Sequence, residues 1–293
     1  MKILTLNTHS IMELGYEEKL IKFVEMVKEV SPNLFALQEV NQSLAMPEAG
    51  DAPDTGYVAC SSCASGSMAG VSKQNIPVRT DNHAYRVAKL LQEAGVQYYW
   101  TWLPIKIGYG IMDEGVAIFS KTKIENTEQF FISSSQNYCN WKTRKVLGVY
   151  TNAMWFYSVH MGWWDDTEEP FKKQWDRVVE QLKQKKQTCF VMGDFNSPAD
   201  KKQEGYDYVC RSGWLDTWQT AEKKDAGITV GGVIDGWRDK ENKTAEQEKP
   251  GMRIDYIFCN REVPVKSSYV VFNGDNYDVV SDHYGVLVEI ATP

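Results

Sequence analysis

Short apolar runs rich in β-branched and aromatic residues recur along the chain, and runs of this kind predict β-strands. Ten of them stand out: Ile3–Leu6, Leu34–Leu37, Tyr98–Leu103, Val116–Phe119, Val146–Thr151, Trp155–Val159, Cys189–Met192, Ile254–Cys259, Tyr269–Phe272 and Val286–Ile290. An apolar stripe at helical spacing predicts a helix over Glu17–Val30, which Ser31–Pro32 would end. Ala84–Ala94 and Phe171–Gln184 have the same amphipathic pattern. Strands that alternate with helices predict a mixed α/β layer structure.

Two segments have the composition of loops. Ala45–Thr80 is dense in Gly, Ser, Ala and Pro, and Lys223–Gly251 is dense in Gly, Lys and Glu. Each is longer than a usual connection, which is typical of either a functional surface loop or a disordered insertion. Since the strand signals on both sides of each loop fit one sheet system, we expect residues 1–293 to form a single domain.

The composition is that of a globular protein, with 43% hydrophobic and 24% charged residues among 293. The 32 Lys and Arg residues are outnumbered by 39 Asp and Glu, and the net charge of -7 argues against a chain that wraps nucleic acid through a basic surface. The basic run Lys172–Lys186 is interleaved with acidic residues, as in a solvated helix face. The net charge of the whole chain does not exclude a local cationic pocket.

Cysteine usage and apolar segments bear on location. The six cysteines lack the spacing of a disulfide framework, and the apolar run at the N-terminus is too short for the core of a signal peptide. No stretch approaches the ~18 consecutive apolar residues that span a bilayer. We therefore expect a reduced, cytoplasmic protein with no membrane partner.

Polar residues follow several predicted strands at the points where those strands end. Asn7 and His9 follow the first strand, and Glu39 follows the second. The remaining positions of this kind are His160, Asp194, Asn196, Asp282 and His283, with Asp255 inside an apolar run. Each one alone is typical of a turn or a helix cap. Together they favour a functional site, because α/β proteins bind ligands at the rim where strand ends meet.

The residue types at this rim suggest a metal. Glu39, Asp194 and Asp282 would repel one another unless a cation lay among them. With the amide oxygens of Asn7 and Asn196 and without cysteine, such a set favours Mg²⁺ or Mn²⁺ over zinc. A hard cation beside histidines suits phosphoester hydrolysis, in which the metal polarises a phosphoryl oxygen and a base activates water.

The motifs around these residues resemble those of the endonuclease/exonuclease/phosphatase superfamily, the relatives of pancreatic deoxyribonuclease. They are, in order, LTLNTHS, ALQEV, DEGVAIFSK, YSVH, VMGDFNSP, RIDYIF and VSDHYGV. The resemblance covers the chain from Ile3 to Ile290. It implies a four-layer α/β sandwich, in which two packed mixed β-sheets are flanked by helices, and it implies a metal-dependent phosphoric ester hydrolase.

The same resemblance implies a role for each motif residue. Glu39 would be the principal metal ligand, with Asn7 and Asp282 close to it. Asp194 and Asn196 would position or deprotonate the attacking water and hold a phosphate oxygen. Whether Asp194 or His283 is the base stays open. The number of metal ions also stays open, because His9 stands where some nucleases of the superfamily carry an Asp.

The resemblance also implies partners for the histidines of the motifs. His283 would handle a proton, and Asp255 would fix the tautomer of its ring. His160 would face the phosphate from the other side, with Glu114 to orient it.

Longer stretches resemble one branch of the superfamily, maltose 6'-phosphate phosphatase and its bacterial relatives. These stretches are RTDNHAYRVAKLL, YYWTWLPIKIGYGIMDEG, NWKTRKVLGV and VHMGWW. The branch implies a phosphatase that acts on a small phosphorylated sugar. A strand over Trp141–Lys145 would place Lys142 and Arg144 on one face, and we predict that Arg144 contacts the phosphate, a solvated strand edge being the alternative.

Aromatic rings can cover the flat apolar faces of a sugar. Trp163 and Trp164 follow His160 closely, so we predict that both contact the substrate, and His83 is a further candidate. The alternating aromatics of Tyr98–Trp102 suit either a sugar or the core. Two other functions stay open: a phosphodiesterase for nucleic acid or a sphingolipid, and an inactive module that binds a phosphorylated ligand. The acidic balance makes nucleic acid the less favoured substrate.

Overall fold

The computed structural model describes residues 1–60, 76–232, 234 and 251–291. Its strands are β1 (Lys2–Asn7), β2 (Leu34–Ser43), β3 (Tyr99–Gly108), β4 (Met112–Ser120), β5 (Asn126–Phe131), β6 (Lys145–Thr151), β7 (Met154–His160), β8 (Cys189–Asp194), β9 (Leu215–Asp216), β10 (Lys223–Lys224), β11 (Asp255–Cys259), β12 (Val265–Val271) and β13 (Gly285–Ile290). The helices are α1 (Tyr16–Val30), α2 (His83–Glu93), α3 (Phe171–Leu182), α4 (Gly205–Arg211) and α5 (Thr217–Thr220). None of the described helices is long and apolar enough to cross a membrane.

The strands form two mixed sheets. One has the order β10-β12-β13-β1-β2-β4-β3, and the other has the order β5-β6-β7-β8-β11-β9. Apolar side chains from both sheets, such as Ile3 and Ala36 from the first and Phe156, Phe190 and Ile257 from the second, bury one another in a shared core. The sheets therefore pack face to face.

Helices cover the outer face of each sheet. Phe23 of α1 and Val87 of α2 pack in one cluster with Phe35 of the first sheet. Trp175 of α3 and Val209 of α4 belong to a separate cluster that includes residues of the second sheet. The predicted four-layer sandwich is thus confirmed.

The strand register brings the motif residues to one rim. β1 and β2 run parallel with Asn7 opposite Gln38, and β7 and β8 run parallel with His160 opposite Asp194. β11 lies antiparallel to β8, and its first residue, Asp255, pairs with Asp194. The carboxyl ends of β1, β7 and β8, the middle of β2 and the amino end of β11 therefore converge.

The sequence prediction located all ten of its strands and the first three helices, but it missed some features. β5 has a polar pattern and lies at a sheet edge, which hides its strand signal. The predicted strand over Trp141–Lys145 is wrong except at Lys145, where β6 begins. Residues 140–143 form a turn instead, because the Asn140 side chain accepts from the Lys142 backbone N–H at 3.0 Å and the Asn140 carbonyl accepts from the Thr143 N–H at 2.9 Å.

Candidate active site

A cavity of about 190 Å³ opens at the rim where the strand ends converge. Its walls include nine of the predicted site residues: Glu39, Glu114, Arg144, His160, Trp163, Asp194, Asn196, Asp282 and His283. Asn7 and Asp255 are buried and hydrogen-bond to members of this set. The site is therefore assembled from both sheets.

A β-bulge directs Glu39 into the cavity. The register of β2 against β4 shifts between Leu37 and Val40, and Glu39 has a φ of 50°, in the left-handed region. A bulge re-aims a side chain at a cost, since a non-glycine residue in this region is strained by about 1–3 kcal/mol. The Asn7 side chain donates to Glu39 Oε1 at 2.9 Å and to Asp194 Oδ2 at 3.1 Å. Asn7 therefore joins the two carboxylates on which the predicted chemistry depends.

A polar network between the sheets fixes the relative position of their ends. Gln38 Nε2 donates to Ser158 Oγ at 3.0 Å and to Thr5 Oγ1 at 3.2 Å, and all three side chains are buried. The space for this network exists because residue 193 is glycine, with a φ of 139°. A Cβ at Gly193 would overlap the Val159 carbonyl oxygen and lie 3.0 Å from Gln38 Nε2.

We expect Gly193→Ala to destabilise the protein by about 3 kcal/mol, because neither the backbone oxygen nor the buried amide can move away freely. Urea unfolding followed by fluorescence measures the change. Gly213→Ala is the matched control, since Gly213 also has a positive φ, of 91°, but a Cβ there meets nothing within 4 Å. Equal destabilisation by both substitutions would contradict the steric argument and leave only the backbone conformation as the cause.

Asp194 lies between two histidines. His283 Nδ1 is hydrogen-bonded to Asp255 Oδ2 at 3.0 Å, and its Nε2 lies 3.8 Å from Asp194 Oδ2. The same Asp194 oxygen lies 3.6 Å from His160 Nε2. Both ring nitrogens of His283 thus face carboxylates, so Asp255 is placed to fix the ring.

The surroundings of these groups shift their pKa values in opposite directions. Burial lowers the pKa of His283, but the charges of Asp255 and Asp194 outweigh it and raise that pKa to about 10. Burial raises the pKa of Asp194 to about 7, against the lowering effect of His283. For His160, burial and the charges of Arg144 and Lys106 hold the pKa well below its usual range. The arrangement therefore combines an imidazolium, a neutral imidazole and a carboxylate able to accept a proton near neutral pH.

Two buried cations form another wall of the cavity. Lys106 Nζ and Arg144 Nη1 both donate to the carbonyl oxygen of Trp141, at 3.0 and 2.8 Å. Both residues line the cavity, and among the described residues the buried Nε of Arg144 has no hydrogen-bond partner. Burial, together with the neighbouring Arg144, lowers the pKa of Lys106. A concave site with clustered donors of this kind suits an anion.

Glu114 has a different partner from the one predicted. Its Oε1 lies 3.1 Å from Lys106 Nζ, and no hydrogen bond links it to His160 within the described ranges. β4 places Glu114 beside Lys106 because the register of β3 shifts between Pro104 and Lys106 and pairs Lys106 with Glu114. The prediction that Glu114 orients His160 is therefore wrong, and its carboxylate instead holds the ammonium group of Lys106.

The carboxylate wall contains the predicted metal ligands. Burial raises the pKa of Glu39, and the nearby charges of Glu114 and Asp282 raise it further. A hard cation fits this set, because carboxylate and amide oxygens are its preferred ligands and it would offset the repulsion. Asp282 is held through its backbone N–H, which donates to Glu13 Oε1 at 3.0 Å.

Glu13 also holds His9. His9 Nδ1 lies 2.8 Å from Glu13 Oε1, and Lys19 forms an ion pair with the other oxygen of Glu13. Burial lowers the pKa of His9, but Glu13, Asp282 and Glu39 outweigh it and raise that pKa to about 9. His9 therefore lies beside the carboxylate wall with its Nδ1 already held by Glu13.

Two triads of potential ligands have atoms within 4.8 Å of one another. They are His9 with Glu13 and Asp282, and Asp194 with Asp255 and His283. The second triad is fully buried and its geometry would admit an ion. Its histidine, however, is already held by the other two members, with Nδ1 3.0 Å from Asp255 Oδ2 and Nε2 3.8 Å from Asp194 Oδ2. Glu39 and Asp282 remain the better candidates.

The chain and its fold are similar to known proteins. The model of the Endonuclease/Exonuclease/phosphatase family matches residues 4–283. The chain belongs to this family. A family protein from Leptotrichia buccalis C-1013-b is 30% identical over 100% of both chains, with a TM-score of 0.81. The predicted membership is confirmed, and so is the class of reaction, since members of the endonuclease/exonuclease/phosphatase family are phosphoester hydrolases and generally use a divalent metal ion.

More distant structures of the endonuclease/exonuclease/phosphatase family share the fold. A mannosyl-6-phosphatase from Bacteroides thetaiotaomicron VPI-5482 is 15% identical, with a TM-score of 0.62 over 100% of both chains. D. rerio TDP2 complexed with single strand DNA product is also 15% identical, with a TM-score of 0.59 over 100% of this chain and 99% of that one. A comparison with curated proteins gives no match.

Trp164 and His83, which the sequence predicted to contact the substrate, lie outside the cavity. Trp164 is partly buried and packs against the second sheet's outer cluster, with its ring centroid 6.3 Å from that of Phe171 and 5.9 Å from that of Tyr208. His83 is buried at the start of α2, where its Nδ1 lies 3.0 Å from the Tyr16 hydroxyl and burial lowers its pKa to about 3. Trp164 and His83 are therefore packing residues in this fold.

Sequence reasoning missed several residues that line or support the cavity, and four of them have polar or aromatic side chains. They are Glu13, Lys106, Tyr109 and Trp141. Lys106 lies between Ile105 and Ile107, so it had the same signal as Asp255, a charged residue inside an apolar run. The role of Glu13 had no such signal, because it depends on contacts with residues distant in sequence. The core alternative for the alternating aromatics is confirmed, since Trp100 and Trp102 are fully buried.

Proposed function

We propose that this protein is a Mg²⁺-dependent phosphomonoesterase that releases phosphate from a small phosphorylated sugar such as maltose 6'-phosphate. One observation carries the proposal: Lys106 and Arg144 are both buried in the wall of a small cavity that also contains the predicted metal ligands. A phosphate monoester carries nearly two negative charges near neutral pH, whereas a diester carries one. A site with two buried cations in addition to a metal ion suits the doubly charged group.

Glu39 and Asp282 would hold the metal ion, with Asn7 donating to Glu39, and the ion would supply Lewis-acid polarisation of a phosphoryl oxygen. Lys106 and Arg144 bind the remaining oxygens and orient the phosphate. Asp194 accepts a proton from the attacking water, since its raised pKa suits a base that works near neutral pH. As the water oxygen bonds to phosphorus, the ester bond to the sugar breaks, and the imidazolium of His283, oriented by Asp255, gives its proton to the departing sugar oxygen.

The family contains both kinds of substrate, so the choice between them rests on this chain's own residues. Among the structures of similar fold are a mannosyl-6-phosphatase and a protein complexed with single strand DNA. The net charge of -7 opposes steering of a nucleic acid towards the site. The cavity of about 190 Å³ suits a small substrate.

Removing the Lys106 charge should weaken action on monoesters selectively. We expect Lys106→Met combined with Glu114→Gln to lower kcat/KM for a sugar phosphate by about 100-fold, the usual effect of losing a charge-assisted hydrogen bond. Changing both partners avoids leaving Glu114 buried without its ammonium partner. Steady-state kinetics measure the loss, and Lys172→Met, at an exposed pair with Asp176, is the control that should change nothing. An equal loss for a phosphodiester would contradict selective binding of the second charge.

The direct test of the proposal is phosphate release with Mg²⁺ from a panel that contains maltose 6'-phosphate, other hexose phosphates, nucleoside monophosphates and duplex DNA. We expect hexose phosphates to be hydrolysed fastest, with activity lost on chelation and restored by Mg²⁺. Nicking of DNA without phosphate release from any sugar phosphate would overturn the proposal in favour of a nuclease.

A further inference from the structure

Two tryptophans from different loops meet at the mouth of the cavity. Trp141 lies in the turn before β6, and Trp163 lies in the loop between β7 and α3. Their ring centroids are 5.9 Å apart and their planes are inclined at 57°. Trp141 is 52% exposed, although a large aromatic ring normally gains free energy from burial. We call these two side chains the tryptophan cleft.

Contacts between the two loops fix the cleft. Lys142 Nζ forms an ion pair with Asp166 Oδ2 at 2.9 Å and lies 5.4 Å from the centre of the Trp141 ring. The buried carboxylate of Glu169 accepts from the backbone N–H groups of Ser134 and Ser135, both at 2.7 Å. Because the loops are joined at two places, the exposed ring of Trp141 is held in position before any ligand binds.

The same turn links the cleft to the phosphate-binding cations. The carbonyl oxygen of Trp141 accepts the hydrogen bonds of both Lys106 and Arg144, and its side chain forms part of the cavity wall. The cations and the ring are therefore held at a fixed separation. A ligand with its phosphate on Lys106 and Arg144 would place the group attached to that phosphate near Trp141.

We propose that the tryptophan cleft is the subsite for the leaving group and that it takes a pyranose ring, with an apolar face of the sugar against the Trp141 indole. This assignment rests on the proposed phosphomonoesterase function. The inclination of the two rings favours a sugar over a nucleobase, because a flat base is best held between parallel rings, whereas a pyranose is thicker and needs only one face covered. Trp163 forms the second wall of the cleft and limits how the sugar can tilt.

The test compares two substrates that share a phosphate but differ in the ring, glucose 6-phosphate and glycerol 3-phosphate. We expect Trp141→Ala to raise KM for glucose 6-phosphate at least about tenfold with kcat nearly unchanged, and to alter glycerol 3-phosphate hydrolysis less than about twofold. The backbone carbonyl that holds Lys106 and Arg144 remains in this variant. Trp141→Phe should recover part of the loss, and Tyr269→Ala, at an exposed aromatic on β12, should change neither substrate.

The outcomes separate this proposal from the proposed function. Equal effects on both substrates, or no effect on either, would overturn the subsite while leaving phosphatase activity intact. A loss confined to a nucleoside monophosphate would assign the cleft to a base instead and also overturn it. If the wild type hydrolyses no monoester, titration of tryptophan fluorescence with glucose 6-phosphate still tests the subsite. About tenfold weaker binding of glucose 6-phosphate by Trp141→Ala would support the tryptophan cleft. Equal binding by the variant and the wild type would contradict it.

Discussion

Asp194→Asn should lower kcat about 1,000-fold or more for any phosphate ester that the protein hydrolyses. The Asp194 carboxylate lies between His160 and His283 and accepts a hydrogen bond from Asn7. Burial raises its pKa to about 7, which allows it to take a proton from water near neutral pH, and the amide of Asn cannot do so. Single-turnover kinetics in saturating Mg²⁺ separate this step from substrate binding.

The same substitution should leave the fold intact. The side-chain oxygen of Asn can still accept from the Asn196 backbone N–H, which donates to Asp194 Oδ1 at 2.8 Å. We therefore expect the free energy of unfolding to change by less than about 2 kcal/mol. Asp200→Asn, at an exposed turn, is the control for the chemical change alone. If Asp194→Asn kept more than a tenth of wild-type kcat, Asp194 would not be the base and His283 would have to take that role.

Glu39→Gln should abolish the response to Mg²⁺. In the wild type we expect Mg²⁺ to raise both activity and Tm, because a ligand that binds only the folded state stabilises it. The Gln side chain can keep the hydrogen bond from Asn7 but carries no charge for the metal ion. Activity in Mg²⁺ should therefore fall by about 1,000-fold, and Mg²⁺ should no longer shift Tm.

Without metal, Glu39→Gln should have the opposite effect on thermal stability. The wild-type carboxylate is half-buried beside Glu114 and Asp282, and its desolvation together with their charges raises its pKa. Replacing it by a neutral amide removes this repulsion, so the variant should unfold at a higher temperature than the wild type in chelator. Differential scanning calorimetry in chelator and in Mg²⁺ measures both effects, with Glu25→Gln on the exposed face of α1 as the control. A variant less stable than the wild type in chelator would mean that Glu39 is a structural residue.

The convergence of the motif residues could be predicted because it follows from strand order and direction. Apolar runs located the strands, and polar residues at their ends marked the rim. Parallel pairing of β1 with β2 and of β7 with β8 then brought Asn7, Glu39, His160 and Asp194 together. The motifs added the family, which supplied the two-sheet fold that periodicity alone left open.

The features that escaped prediction depend on irregular backbone. Lys106 reaches the cavity through a register shift in β3, and Trp141 reaches it through a turn where the sequence suggested a strand. Trp163 and Trp164 are neighbours with similar sequence signals, yet one lines the cavity and the other packs against Phe171. Which of two adjacent side chains faces a site is set by loop conformation, for which hydrophobic periodicity gives no information.

The central claim is that the cavity is built for a doubly charged phosphate. The most direct measurement compares kcat/KM for p-nitrophenyl phosphate and bis(p-nitrophenyl) phosphate in Mg²⁺, because the leaving group is the same and only the charge and the second ester differ. With Lys106 and Arg144 both buried in the cavity wall, we predict a preference for the monoester of about 100-fold or more. Equal or faster hydrolysis of the diester would contradict the claim.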